Sequence, residues 1–190
     1  MRMTVLAAAC ASLVLYLTGA APSAQAAGIK GVTAVDPAEI RRDTPSGLPV
    51  PRIVSLKSEE TYCRSGPTFS HPVRLTFMRQ GLPVMIVAET RDHWRKIRDP
   101  EGDECWTHKS KLSGELTALV LEDGLVLRAR PDANAPAKAN LGRGVIARVD
   151  DVRDGWLKVS TDGIKGWANS AAFWGAGAPV PISRNAATHN

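Results

Sequence analysis

The chain has 190 residues and a formal charge of +5, from 24 basic and 19 acidic side chains. The charges are interspersed without a run of five or six like signs, which argues against a dedicated nucleic-acid tract. The mild excess of positive charge suits loose attraction to anionic envelope polymers or membrane surfaces.

The chain opens with Arg2, followed by an apolar stretch from Thr4 to Ala20 and the small-residue site Ala24-Gln25-Ala26. That combination predicts a signal peptide over residues 1–26 with cleavage near Ala26 and Ala27 as the mature start. The alternative is an uncleaved membrane helix, since the apolar run nearly reaches spanning length. The cleavage site and the polar Pro22, Ser23 and Gln25 favour removal. Loss of residues 1–26 takes away Arg2 and no acid, so 23 basic residues face 19 acidic ones and the net charge becomes +4. No second segment approaches spanning length, so no integral membrane span is expected after cleavage.

Residues 27–51 are rich in Pro, Gly, Ala and charge without an apolar period, and are expected to be a flexible lead-in. Strands are predicted at Ile53–Leu56, Thr61–Arg64, Val73–Phe77, Leu82–Glu89, His93–Arg98 and Cys105–His108, with Gly81 at a turn that needs positive φ. The pattern then repeats. Strands are predicted at Ala118–Leu121, Leu125–Arg128, Val145–Val149, Trp156–Ser160 and Lys165–Ala168, with turns at Glu122-Asp123-Gly124 and Asp162-Gly163. Residues 175–190 read as a loose tail.

Four landmarks carry the repeat. Cys-Arg-Ser-Gly-Pro at 63–67, Gly81, Trp-Arg-Lys-Ile at 94–97 and Cys-Trp-Thr-His at 105–108 return as Leu-Arg-Ala-Arg-Pro at 127–131, Gly144, Trp-Leu-Lys-Val at 156–159 and Gly-Trp-Ala-Asn at 166–169. The offset drifts only from 64 to 61 residues. Two copies of one small fold follow, at 52–114 and 115–174. Short strands with no convincing amphipathic helix make the fold class all-β, as two tandem small barrels.

Cys63 and Cys105 are the two cysteines left after processing, and an even count in an exported chain predicts a disulfide between them. They stand where the second copy has Leu127 and Gly166, which are structural positions. A reactive thiol paired with His108 lacks any thiolate-stabilising signal.

Taken together, these motifs closely resemble the bacterial SH3-like domain in tandem, over residues 52–174. The resemblance rests on Arg64-Ser65-Gly66-Pro67, the Trp94 and Trp156 strands, Cys105-Trp106-Thr107-His108 with Leu112, and Gly166-Trp167-Ala168-Asn169 with Phe173. The second copy departs from the pattern at Ala129-Arg130, which places any ligand role of that turn in doubt there. The resemblance implies a non-catalytic binding module of the envelope, periplasmic or secreted, for peptidoglycan or its stem peptides. A protein–protein adaptor or accessory subunit for another envelope protein is the alternative.

Within that frame Trp106 and Trp167 are expected in the cores, while Trp94 and Trp156 could lie at the barrel rims and stack on a sugar ring or a proline. Tyr62 could join Trp94, and the second copy has Val126 there. His71, His93 and His108 have no short metal-ligand spacing, so no metal and no cofactor is expected. Asp99, Glu101, Asp103 and Glu104 read as a solvated turn rather than as a cation site or an acid–base pair. The chain has no Gly-x-Ser-x-Gly or His-Glu-x-x-His motif and no phosphate-cradling loop, and no catalytic residue is assigned.

Overall fold

Both copies fold into seven strands joined in the same order. The computed structural model describes residues 39–176. The expected signal peptide at 1–26, the first part of the lead-in and the tail from residue 177 lie outside the described residues. The first copy comprises β1 (Arg52–Leu56), β2 (Thr61–Arg64), β3 (Val73–Phe77), β4 (Pro83–Glu89), β5 (Trp94–Arg98), β6 (Glu104–His108) and β7 (Leu112–Ser113). The second comprises β8 (Thr117–Val120), β9 (Leu125–Arg128), β10 (Ala137–Leu141), β11 (Ile146–Arg153), β12 (Trp156–Thr161), β13 (Ile164–Asn169) and β14 (Phe173–Trp174). The sheet orders are β3-β2-β6-β5-β4-β1-β7 and β10-β9-β13-β12-β11-β8-β14, so the repeat holds strand for strand. This is the all-β tandem barrel that the sequence predicts.

Alternation sets what each strand buries. Inward residues of β2, β5 and β6 include Cys63, Ile97, Cys105 and Thr107, all at 2% exposure or less. Cys63 and Cys105 are bonded, with Cα atoms 5.5 Å apart, inside the range a disulfide needs. In the second barrel the same site is filled differently. A Cβ on Gly166 would sit 2.8 Å from the Leu127 Cβ and 3.2 Å from the Arg128 carbonyl oxygen. One leucine packed against a bare glycine therefore replaces two sulfurs. Thr61 is a blemish in the first core: its hydroxyl is buried without a partner where the second barrel has Leu125. An orphaned group of this kind costs about 1–3 kcal/mol.

The barrels share apolar contacts. In β8 and β14, Phe173 pairs with Val120 and Trp174 with Leu119. Strand alternation sends Val120 and Phe173 into the second core. Leu119 and Trp174 face the other way and join Ile53, Val54, Met85 and Ile86 of the first. Polar contacts follow the same seam. The Thr117 hydroxyl donates to the Gly81 carbonyl at 2.6 Å, and Arg79 donates to the Gly144 carbonyl. Gly81 has the positive φ (76°) that its turn requires.

Residues 39–51 depart from the expected flexible lead-in. Arg41 and Val50 form a bridge with hydrogen bonds of 2.8 and 2.9 Å, and Val50 is buried in the first core. A charged clasp holds the turn. Glu89 has no exposed side chain and meets Arg52 at 2.5 Å and Arg95 at 3.0 Å, while the Ser46 amide donates to its other oxygen. Burial alone would push the Glu89 carboxyl up. The hydrogen bonds from Ser46 and Arg52, with the charges of Arg52 and Arg95, outweigh it and hold the group below the usual carboxylate range.

Candidate functional site

The outward face of the first barrel is built by register. Trp94 pairs with His108, Lys96 with Trp106 and Arg98 with Glu104, while Arg64 pairs with Trp106 across β2 and β6. Cross-strand partners share a face, so these side chains form adjacent rows. Tyr62 lies two residues before Arg64 on the same face and is 47% exposed.

The loop between β2 and β3 places one more aromatic over this face. Arg64 donates to the His71 carbonyl at 2.7 Å, and the Ser65 amide donates to the Pro72 carbonyl at 3.1 Å. The Thr68 hydroxyl sits 2.7 Å from both Ser70 Oγ and His71 Nδ1. The His71 imidazole lies flat against Gly66, where any Cβ would come within 2.3 Å of the ring. That contact explains the glycine of the Ser-Gly-Pro turn. The loop carries Phe69 onto Trp94 in an edge-to-face contact with centroids 4.9 Å apart, yet Phe69 remains 71% exposed. His108 lies 6.0 Å from Phe69 and 5.8 Å from Trp94, and the Arg64 guanidinium 5.9 Å from Phe69.

Trp94 is thus not an open platform. It is only 5% exposed, covered by Phe69, and Trp106 rather than Trp94 is the partly exposed tryptophan of this barrel. Of the predicted binding residues, the first barrel brings Tyr62 and Trp94 onto one face. Trp156 sits on the equivalent face of the other barrel and is partly exposed. Phe69 was missed because it lies outside every strand. The signal that could have found it is a large aromatic within a tight Ser-Gly-Pro-Thr-Phe loop.

His108 has a structural task. Its Nδ1 accepts from the Ser110 amide at 3.4 Å and lies 2.8 Å from Ser110 Oγ, capping the short 3-10 turn Lys109–Lys111. Asn169 caps the equivalent turn by accepting from the Ala171 amide at 2.9 Å. Burial pushes the His108 imidazole down from its ordinary value of 6.5, helped by the charges of His93, Lys109 and Arg95. A lowered folded value means the neutral ring is favoured, so this stability is complete above pH 6.5 and lost as pH falls through the lower folded value. We expect the melting temperature of the wild type to drop more between pH 7.5 and pH 5 than that of His108→Asn. Equal slopes in parallel thermal melts would refute His108 as a source of this pH dependence.

The acidic loop is absorbed by the fold. The buried Asp99 accepts from the Asp103 amide at 2.8 Å, Asp103 pairs with Arg74 at 2.9 Å, and Glu104 pairs with Lys96 at 2.5 Å and Arg98 at 2.6 Å. Among the described residues no group of three or more His, Cys, Asp or Glu side chains converges to hold a metal ion.

The second barrel keeps the scaffold and changes the surface. Arg128 donates to the Ala135 carbonyl at 2.8 Å as Arg64 does to His71. Arg130 occupies the Gly66 position, Ala133 stands where a Phe69 counterpart would be, and Val126 replaces Tyr62. Trp167 is 7% exposed, beneath Arg153 at 5.3 Å and Lys158 at 6.0 Å from its ring centroid.

Residues 57–114 and again 122–175 match the bacterial SH3 domain. These segments make up more than half of the chain, and the protein belongs to that family. Such domains are typically non-catalytic binding modules, often for cell-wall peptidoglycan. The solved structures of NlpC2 and NlpC1 from Trichomonas vaginalis are similar over 65% of this chain, each at 15% identity and a TM-score of 0.29. The match covers 48% and 45% of those chains, so this protein spans about half their length. No curated protein matches the chain. The family and the disulfide fit an extracytoplasmic protein, and no described helix is long and apolar enough to cross a membrane.

Proposed function

We propose that this protein is a non-enzymatic binding module of the bacterial envelope, in the periplasm or secreted. The first barrel's outer face holds peptidoglycan or its stem peptides. The observation that carries this reading is Phe69, whose ring is 71% exposed and yet fixed edge-on against a buried Trp94. An aromatic ordered before binding loses little conformational freedom when a ligand stacks on it, which is what makes such residues binding anchors. Tyr62 extends the surface, and Arg64 and Lys96 border it with donors for amide or carboxylate groups of a peptide.

The test is co-sedimentation with purified sacculi. Phe69→Ala removes an exposed ring, so the fold is expected to persist while binding weakens about tenfold. Retention equal to wild type in a correctly folded Phe69→Ala protein would reject the site. Capture of an envelope protein by in-cell crosslinking, without sacculus binding, would instead favour the adaptor reading.

A further inference from the structure

The two outward faces differ in charge at matched positions. In the first barrel Arg98 pairs with Glu104 in the row beside Lys96 and Trp106. In the second barrel the same register holds Ser160 opposite Lys165, beside Lys158 and Trp167. A carboxylate in the first copy has become an ammonium in the second. Glu104 draws Lys96 and Arg98 into ion pairs, whereas Lys158 is left over the Trp167 ring.

Register assembles the rest of the surface. Arg148 pairs with Ser160, Arg153 with Trp156 and Arg128 with Trp167, so Arg148, Arg153, Arg128, Lys158 and Lys165 all lie on one face. Asp150 pairs with Arg148 at 2.8 Å and Asp151 with Arg153 at 2.9 Å. Asp151 stands opposite Lys158 on this face, where the first barrel has Ala88 opposite Lys96, so five cations face two carboxylates. Among the described residues Lys158, Lys165 and Arg128 make no ion pair. The stacked Arg153 and Lys158 are also held in place by the indole, which leaves less freedom to lose on meeting an anion.

We infer that this face of the second barrel is a binding site for an anionic glycan, separate from the aromatic face of the first. Charge complementarity supplies the anion. The partly exposed Trp156 at the end of the row supplies a ring on which a sugar can stack. A lipid surface fits less well, because membrane attachment grows with inserted apolar area. Val152 is 47% exposed but pairs with Leu157 and so has the opposite parity to Lys158, and Ile164 likewise alternates with Lys165.

The first barrel suggests the variant, since a glutamate is already tolerated at this register. Lys165→Glu places a carboxylate where it can pair with Lys158. Affinity of the purified protein for polygalacturonate at low salt is expected to fall about tenfold, against a change of less than about twofold for Lys57→Glu, an exposed site with the same charge change. Lys158→Gln, checked by thermal melting, gives a second reading if Lys165→Glu disturbs the fold. Phe69→Ala should leave this binding intact, which separates it from the sacculus site. The site assignment is overturned by no wild-type binding, by unchanged binding in both site variants, or by equal losses in Lys165→Glu and Lys57→Glu. The glycan assignment is overturned by equal or preferential binding to polyphosphate or to anionic vesicles.

Discussion

Replacing Trp174 with alanine is expected to destabilise both barrels together, by about 3–5 kcal/mol, the usual cost of truncating a buried aromatic. The indole is 2% exposed and lies among first-barrel residues, while its own strand is paired to β8 of the second. Truncation removes that packing and leaves a void that neither sheet can collapse to fill. Denaturant unfolding of the wild type should show one transition, and that of Trp174→Ala a shifted and broader or split one. Trp156→Ala, at a partly exposed position, should cost far less. A loss below about 1 kcal/mol for Trp174→Ala would mean that the seam contributes little to stability.

The second large effect belongs to the disulfide. Cys63 and Cys105 are 42 residues apart, and a bridge closing a loop of that size stabilises by roughly 3 to 4 kcal/mol, mainly through the unfolded chain. A small barrel has little more than this in total. Cys63→Ala with Cys105→Ala, or reduction of the wild type, should therefore bring the first barrel close to unfolding at physiological temperature. Hydrogen exchange locates the effect: amides of β2 and β6 should lose protection before those of β9 and β13, where Leu127 and Gly166 occupy the equivalent sites. Uniform loss across both sheets would show that the barrels cannot open separately.

The repeat was legible because its landmarks are residues that geometry constrains. Gly81 turns, Gly166 admits Leu127, and the paired cysteines occupy adjoining strands, so the spacing leads to two copies, while the short strands lead to barrels and the even cysteine count to one bridge. Strand β10 was not legible. Ala-Lys-Ala-Asn-Leu alternates, but its apolar positions are mostly alanine and it has no β-branched or aromatic residue, so it is a strand chiefly because β9 offers it an edge. Residues 39–51 have the composition of a linker, and the partner that holds them, Glu89, lies 43 residues beyond Ser46.

The proposed binding surface was half legible for a related reason. Tyr62 and Trp94 stand out by type, but the burial of Trp94 depends on a loop that crosses over it. His108 carried no signal for chemistry, and its role as a cap, which Asn169 fills in the second copy, is visible only in the folded turn. The contrast between Glu104 and Lys165 was present in the sequence from the start. It acquires meaning only when register shows that the two stand at one address.

The seam also dictates when the first barrel can be finished. Its last apolar piece is Trp174, which lies more than a hundred residues after β1 in the chain. Until then the Ile53 and Met85 side of that barrel has only Leu119 of the second barrel to cover it. A chain folding from its N-terminal end must carry a half-covered sheet until its last strand arrives.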